Sequence, residues 1–395
     1  MQTAQKNNVL RRLKALIAEN SQALQAANAR DLAACDSTDQ ALYDRLKVDA
    51  NKIAGMIQAI DAVMALPDPE GTVLYEHTRE DGLHIENRQV PFGTILIIYE
   101  SRPDVTVEAA ITAFKAGNRT LLKGGKEARH SNLLLTDLWR QALQDNAVDP
   151  DFVQYLQMDR AQTRIMIESG QPHFDLVIPR GGDRLIEFVQ RHSAAPVLVS
   201  GRGNNFLYIH SGADADMATA IAVNGKQRLS VCNALDKILI DAQWPDLSEK
   251  VNALFTALKQ AGLRIYADEA LRQWLPEAHP IPGARMWDEE FLSENIMLGQ
   301  VPDVNAAIEA INRHSGGHSA SIVTADKAIA EQFQQAVDCA AVYHNASTRF
   351  TDGGQFGLGA EIAISTQKLH FRGPLGLSEL VTNKWFVNGD GHIRA

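Results

Sequence analysis

Apolar positions in the first sixty residues recur at spacings of three and four: Val9, Leu10, Leu13, Leu16 and Ile17, then Ile53, Met56, Ile57 and Ile60. That rhythm predicts amphipathic helices over residues 6–66, a covering layer in which nothing looks catalytic. Pro67-Asp68-Pro69 and Gly71 break it. The period then changes to two. Leu83-His84-Ile85-Glu86-Asn87-Arg88-Gln89-Val90 alternates apolar with polar, as a half-exposed strand does. Polar positions on both sides suggest a ribbon, residues 78–92, that projects from the body toward another subunit.

From Gly93 the pattern becomes strand, glycine-containing loop, helix, repeated. Strands are predicted at 94–99, 119–122, 153–156, 175–178 and 197–199, with helices at 105–115, 131–145, 160–169 and 183–191. Short β-branched or Leu-rich strands alternating with helices imply a doubly wound parallel sheet, whose ligands sit at the carboxyl ends of the strands. Those ends read Tyr99-Glu100-Ser101-Arg102-Pro103, Lys123-Gly124-Gly125-Lys126-Glu127, Pro179-Arg180-Gly181-Gly182 and Ser200-Gly201-Arg202-Gly203. All four carry a cation and three carry paired or near-paired glycines, the make-up of a phosphate-binding rim.

A second α/β unit follows, with a helix at 214–225, strands at 237–241 and 320–324, and helices at 247–261, 304–313 and 325–335. The first sheet is expected to resume at 341–343. Next comes a glycine-rich polar loop, NASTRFTDGGQFGLGAEIAISTQ (345–367), of a length that in a compact enzyme is more often functional than idle. The tail around 383–390 again reads as an exposed strand, suited to an edge added to a neighbour's sheet. The expected division is a cofactor-binding domain over 1–212, to which 341–375 returns, a catalytic domain over 213–340, and an oligomerisation tail over 376–395.

Composition narrows the function class. The 395 residues are 45% hydrophobic and 22% charged, and the net charge is −10 with no basic block. Nucleic acid or an anionic membrane is therefore not the expected partner, and there is room for two or three cored domains. Cys35, Cys232 and Cys339 are odd in number and far apart, with no CxxC. That argues for a reducing compartment and against a disulfide framework or a structural zinc. The first residues, MQTAQKNNVLRRLK, hold no long apolar run, so neither signal peptide nor membrane span is expected, and the cytoplasm is the default.

The familiar fingerprints are missing. Gly201-Arg202-Gly203 has Phe206 where a third glycine would complete GxGxxG, and Gly125-Lys126 has Thr120 where a Walker A glycine belongs. HExxH and GxSxG are absent too. What remains is Gln227–Lys237, QRLSVCNALDK: a thiol in a polar crossover between a helix and a buried strand, where helix-end amides can lower its pKa. Against that stands the ordinary reading of a lone Cys as a small buried hydrophobe.

Beyond these patterns, the stretches YESRPDVTVEAA (99–110), GNRTLLKGGKEARHSN (117–132), IPRGGDRLI (178–186), NGKQRLSVCNALDKILI (224–240), DEEFLS (288–293) and VYHNASTRFTDGGQFGLGAEIAISTQKLHFRGPLGL (342–377) resemble the γ-glutamyl phosphate reductases, within the aldehyde dehydrogenase superfamily. They lie in the family's order over most of the chain, and the match is weakest in 1–75 and 243–287. The resemblance implies an aldehyde-dehydrogenase-like α/β fold with a small β oligomerisation element, and an oxidoreductase that reduces γ-glutamyl phosphate to glutamate semialdehyde and phosphate with NADPH, the second step of proline biosynthesis. Carried over by position, Cys232 is the thiol that forms the acyl-enzyme, with Asn233 beside it. Lys123, Gly124 and Gly125 face the cofactor ribose, and Arg180, Gly181 and Gly182 replace the pyrophosphate loop. Glu290 holds the nicotinamide ribose. Arg102, Asn345, Ser347, Thr348 and Arg349 face the substrate. No metal is implied. A homo-oligomer is expected, and a transient contact with glutamate 5-kinase is left open.

Two departures stand out: Asp104 where the family usually has Asn, and Asn205-Phe206 where it commonly has Cys-His. Competing readings are another acyl phosphate reductase of the same superfamily, a cofactor-free thiol acyltransferase or amidase that would use Cys232 without the phosphate rim, and a non-catalytic binding subunit with an inert Cys232.

Overall fold

A computed structural model describes residues 1–35, 40–369 and 371–394. The chain forms two compact units: Met1–Val199 with Gly357–Ala363 and Leu375–Ala395, and Ser200–Phe356 with Ile364–Pro374. The strands are β1 (Val73–Thr78), β2 (His84–Pro91), β3 (Thr94–Tyr99), β4 (Arg119–Lys123), β5 (Val153–Tyr155), β6 (Leu176–Arg180), β7 (Asn205–Ile209), β8 (Leu235–Asp241), β9 (Arg264–Ala267), β10 (His279–Pro280), β11 (Asn295–Val301), β12 (Ser319–Val323), β13 (Ala341–His344), β14 (Ala363–Ser365), β15 (Gly373–Leu375) and β16 (Val381–Asn388).

In the first unit, β5-β4-β3-β6 form a four-stranded parallel sheet. Leu96, Ile98, Leu121 and Val177 pack with Met166, Ile167 and Val189 from the helices Arg160–Ser169 and Asp183–His192. The helices Thr3–Glu19 and Ala50–Ala65 bury the predicted apolar stripes against Val105–Lys115 and Arg129–Gln144. They are the covering layer that their periodicity predicts.

In the second unit the order β10-β9-β11-β8-β7-β12-β13 is parallel throughout. Alternate residues of β7 separate its two cores: Leu207 and Ile209 enter one, Phe206 and Tyr208 the other. Continuous apolar strands are what burial on both faces requires.

Three expectations need correction. The sheet of the first unit does not resume at 341–343, because β13 pairs with β12: a short crossover through the helix Lys327–Ala336 leaves it beside its own predecessor. Residues 197–199 make no full strand. Pro196 cannot donate to a ladder, and Val197 makes an isolated bridge to Val177. The units divide after Val199, and the returning segments are 357–363 and 375–395, so the boundaries at 212, 340 and 375 are displaced.

The ribbon and the tail also differ from expectation, since each finds its partner within the chain. Strands β1, β2 and β16 form an antiparallel sheet, with Val381 opposite Pro91 and Asn388 opposite His84. Nearly 300 residues separate these partners, so no local signal joins them. Val73, Leu74, Tyr75, Trp385 and Val387 of this sheet are exposed.

Candidate active site

In the second unit Cys232 occupies the turn between the helix Ala215–Gly225 and β8, and is half-buried. It has no disulfide partner. The turn is locked from both sides. Ahead of β7, the backbone at Gly203 runs so close that a Cβ there would lie 1.7 Å from the Cys232 carbonyl oxygen. The buried Asn205 amide reaches the carbonyls of Gly203 at 2.8 Å, Cys232 at 2.7 Å and Ala234 at 2.6 Å. Asn205, the first residue of the second departure, is thus a clamp on the cysteine's backbone. Phe206, its second residue, is buried and stacks on Trp287 with ring centroids 6.4 Å apart.

On the other side stands the loop after β13. Asn233 Nδ2 donates to the carbonyls of Arg349 at 3.1 Å and Thr351 at 3.0 Å, and its Oδ1 accepts from Arg349 Nη1. Thr348 Oγ1 donates to the Asn233 carbonyl at 3.0 Å. Burial lowers the Arg349 guanidinium's pKa, as does Arg228 nearby, while Asp352 and the Cys232 sulfur act in the opposite sense. Cys232, Asn233, Thr348 and Arg349 therefore form one cluster.

The remaining loop residues serve the backbone. Asn345, in a left-handed conformation (φ 54°), accepts from the Thr324 amide at 3.0 Å and donates to the Thr324 carbonyl at 3.0 Å. Ser347 caps the short turn Thr348–Phe350, accepting from the Arg349 amide at 3.3 Å. The Asn233 side chain is likewise committed to the loop.

Of the other cysteines, Cys339 is buried and its thiol is pushed up to about 11 by that burial. Such a thiol stays protonated and inert at neutral pH.

Glu290 lies in the second unit, where its Oε1 accepts from the Gly203 amide at 3.0 Å. The fourth cationic strand end, Ser200–Gly203, belongs to this unit and not to the first sheet, which reduces the phosphate rim to three loops.

Those three lie at the carboxyl ends of β3, β4 and β6 in the first unit. Gly124 and Gly125 permit close approach: a Cβ would meet the Asn132 amide at 2.4 Å and Ser101 Oγ at 2.6 Å. Lys123 Nζ donates to the Gly124 carbonyl at 2.8 Å, and burial lowers its pKa against the pull of Glu127. Gly182 caps the helix Asp183–His192, and its amide donates to Glu100 Oε1 at 2.7 Å. A carboxylate at a helix start, beside Arg180 and Gly181, marks that loop as one that accepts an anion. The donor set therefore fits a dinucleotide's phosphates.

Arg102 is taken up within its own loop. Its Nη2 lies 3.0 Å from Asp104 Oδ2, which Lys52 Nζ also approaches at 3.4 Å. Burial pushes the Asp104 carboxyl up, but Arg102 and Lys52 outweigh it and hold it below the ordinary range. The Asp104 departure thus supplies Arg102 with a charge partner.

The sequence motif that defines the aldehyde dehydrogenase family matches residues 1–264. The chain is 42% identical over 398 residues to a protein of Enterococcus faecalis named γ-glutamyl phosphate reductase, covering 100% of this chain and 95% of that one. The chain belongs to the aldehyde dehydrogenase family, among its γ-glutamyl phosphate reductases.

The crystal structure of γ-glutamyl phosphate reductase from Thermotoga maritima superimposes with a TM-score of 0.96 at 39% identity, covering 100% of this chain and 95% of that one. An acetylating aldehyde dehydrogenase from Geobacillus thermoglucosidasius shares the fold at 15% identity (TM-score 0.70, covering 100% and 94%). Family membership and the fold thus agree with what the motifs imply. Among the described residues no helix is long and apolar enough to cross a membrane. Glu76, His84 and Glu86 place ligand atoms within 4.8 Å of one another, but Arg88 already pairs with Glu86.

Two contributors escaped the sequence reading: the Asn205 clamp, noted only as a departure, and Glu100 at the Gly182 amide. A polar residue opening a buried strand was the available signal for Asn205. Glu100 had none, since its partner is 82 residues away.

Proposed function

We propose that this chain reduces γ-glutamyl phosphate to glutamate 5-semialdehyde and phosphate, using NADPH and a thioester on Cys232. The observation that carries the reading is the cluster at Cys232. It joins a half-buried thiol, a backbone clamped by Asn205, and an arginine within electrostatic reach. The Cys232 thiolate attacks the γ-acyl carbon, a C–S bond forms, and the acyl C–O bond breaks as phosphate leaves. Phosphate is a good leaving group, so no strong general acid is needed. The thioester carbonyl is a better hydride acceptor than a carboxylate, which is the gain of the covalent step. Backbone amides at Cys232 and Asn233 are the donors for the oxyanion. Arg349 receives the substrate's α-carboxylate. When the thiohemiacetal collapses, the C–S bond breaks, the aldehyde departs and the thiolate is restored.

Reduced nicotinamide supplies the hydride when bound. Lys123, Gly124, Gly125 and the Arg180–Gly182 loop of the first unit would hold the dinucleotide, and the family resemblance gives Glu290 a role toward its ribose. Lys123 and Lys126 carry more positive charge than ribose hydroxyls require, which favours a 2′-phosphate and hence NADPH. The test is phosphate-dependent oxidation of glutamate semialdehyde, with NADP and NAD compared side by side. Phosphate-independent turnover, or equal efficiency with NAD, would overturn the corresponding part of the reading.

A further inference from the structure

Buried in the second unit, on the strand that leaves the cysteine turn, is a lysine that forms no ion pair within 4.0 Å among the described residues. Lys237 is fully buried. Its ammonium donates to Asn204 Oδ1 at 2.8 Å and to the Glu289 carbonyl at 2.7 Å, and sits 3.6 Å from the centre of the Phe291 ring. These contacts close a ring. Asn204 and Glu289 are joined through Lys237, while their neighbours Gly203 and Glu290 are joined at 3.0 Å.

Asn204 carries the ring further, since its amide nitrogen donates to the carbonyls of Trp287 and His314, each at 2.7 Å. The Phe291 amide donates to Asp236 Oδ2 at 2.9 Å, and Lys226 pairs with Asp236 Oδ1 at 2.5 Å. The segment 287–291 is thus fastened to residues 203–204 and to β8. Residues 203–205 are also the stretch against which the Cys232 backbone rests.

We propose that Lys237 is a positioning residue for Cys232 and Glu290: its buried ammonium bridges Asn204 and Glu289, and so fixes both the turn behind the thiol and the carboxylate at Gly203. The proposal deepens the reading of Cys232 as the nucleophile and rests on it. A cation that meets two oxygens and one aromatic face fits this place. Each oxygen takes one hydrogen, and the ring takes the third along with the charge.

The charged groups that face it are Asp236 on its own strand, Lys226 at the end of the preceding helix, and Asp288 and Glu289 in the fastened segment. Their balance, with burial as the largest influence, lowers the ammonium to about 7. Above that pH the amine keeps two hydrogens for the two oxygens. It loses the third, with the charge that draws it to the ring. The bracket is therefore fully held below about pH 7 and slackens above it.

The test uses the full chain without cofactor, and reads iodoacetamide labelling of each cysteine peptide by mass spectrometry. Cys35 serves as the reference within each sample. In Lys237→Met, the Cys232 labelling rate at pH 6 should differ from wild type by at least about tenfold, the loss expected for a charge-assisted contact. At pH 8.5, where the wild-type amine is neutral, the two rates should draw closer. NADPH titration, followed by energy transfer from tryptophan, should show weaker binding in the variant.

A lower melting temperature with wild-type labelling and affinity at both pH values would overturn the proposal, because a merely structural lysine predicts that outcome. If Lys237→Met does not fold, Lys237→Gln is read the same way. The wild-type ratio of Cys232 to Cys35 labelling should also show an inflection near pH 7 beyond the thiols' own, and its absence would count equally against the proposal. Labelling needs no turnover, so failure of wild type to reduce γ-glutamyl phosphate would sink the proposed reaction and leave this result readable.

Discussion

Replacing Arg349 by alanine separates substrate anchoring from loop support. Two effects are superimposed at this residue. If its guanidinium holds the substrate's α-carboxylate in a partly desolvated site, losing that contact costs about 2–5 kcal/mol. At about 1.4 kcal/mol per tenfold, kcat/KM for the glutamyl substrate falls by between about 30-fold and several thousandfold. The guanidinium also caps Asn233 Oδ1, next to the nucleophile. Leaving that buried acceptor unpaired costs on the order of 1 kcal/mol, or about fivefold, whatever the substrate.

A simple aliphatic aldehyde, assayed in the oxidative direction, should show only the second loss. The decisive quantity is therefore the difference between the two substrates, expected to exceed about tenfold. Equal losses on both substrates in Arg349→Ala would refute the anchor and make Arg349 a support for the loop alone.

Cys232→Ser should abolish reduction while NADPH still binds, because an alcohol without a neighbouring base is a poor nucleophile; turnover by this variant would end the covalent mechanism, whereas Cys339→Ser should stay active. His318 is buried, its Nε2 has no hydrogen-bond partner, and burial lowers it to about 4 from an ordinary 6.5. Its folded pKa lies below the unfolded one, so stability is intact above about pH 6.5 and falls by about 3 kcal/mol as the pH drops to about 4. Denaturant melts of His318→Gln should show a shallower acid slope than wild type, and identical slopes would count against it. Truncation after Thr382 removes most of β16, uncovering the edge of β2. With the exposed apolar side chains of this sheet, we expect at least a dimer for the full chain and monomer or aggregate for the truncated one. Unchanged mass in light scattering would exclude that.

Much of this protein could be read from local pattern. The strands at 94–99 and 119–122, the latter running one residue further to Lys123, and the helices at 105–115 and 160–169 follow from periodicity and from the glycines and prolines that punctuate it. The setting of Cys232, between a helix and a strand, allowed a reactive thiol as well as an ordinary buried one, and the family resemblance gave it the nucleophile's role. Local pattern could not say which strands become neighbours. An apolar tetrad such as Ala341–His344 suits either sheet, and only the length of its connection places it beside β12. Strands β2 and β16 looked unpartnered because their pairing spans almost the whole chain.

The same limit divides the site. The family resemblance marked Arg349 and Asn233 as candidates, but that each holds the other follows from packing two distant loops together. Asn345 and Ser347 looked equally suited to a ligand until the fold spent them on the backbone. The Asn205 clamp and the Lys237 bracket are wholly tertiary. A polar side chain entering a buried strand must be satisfied by whatever surrounds it: for Asn205 that is the backbone that carries the nucleophile, and for Lys237 it is Asn204 and the segment 287–291.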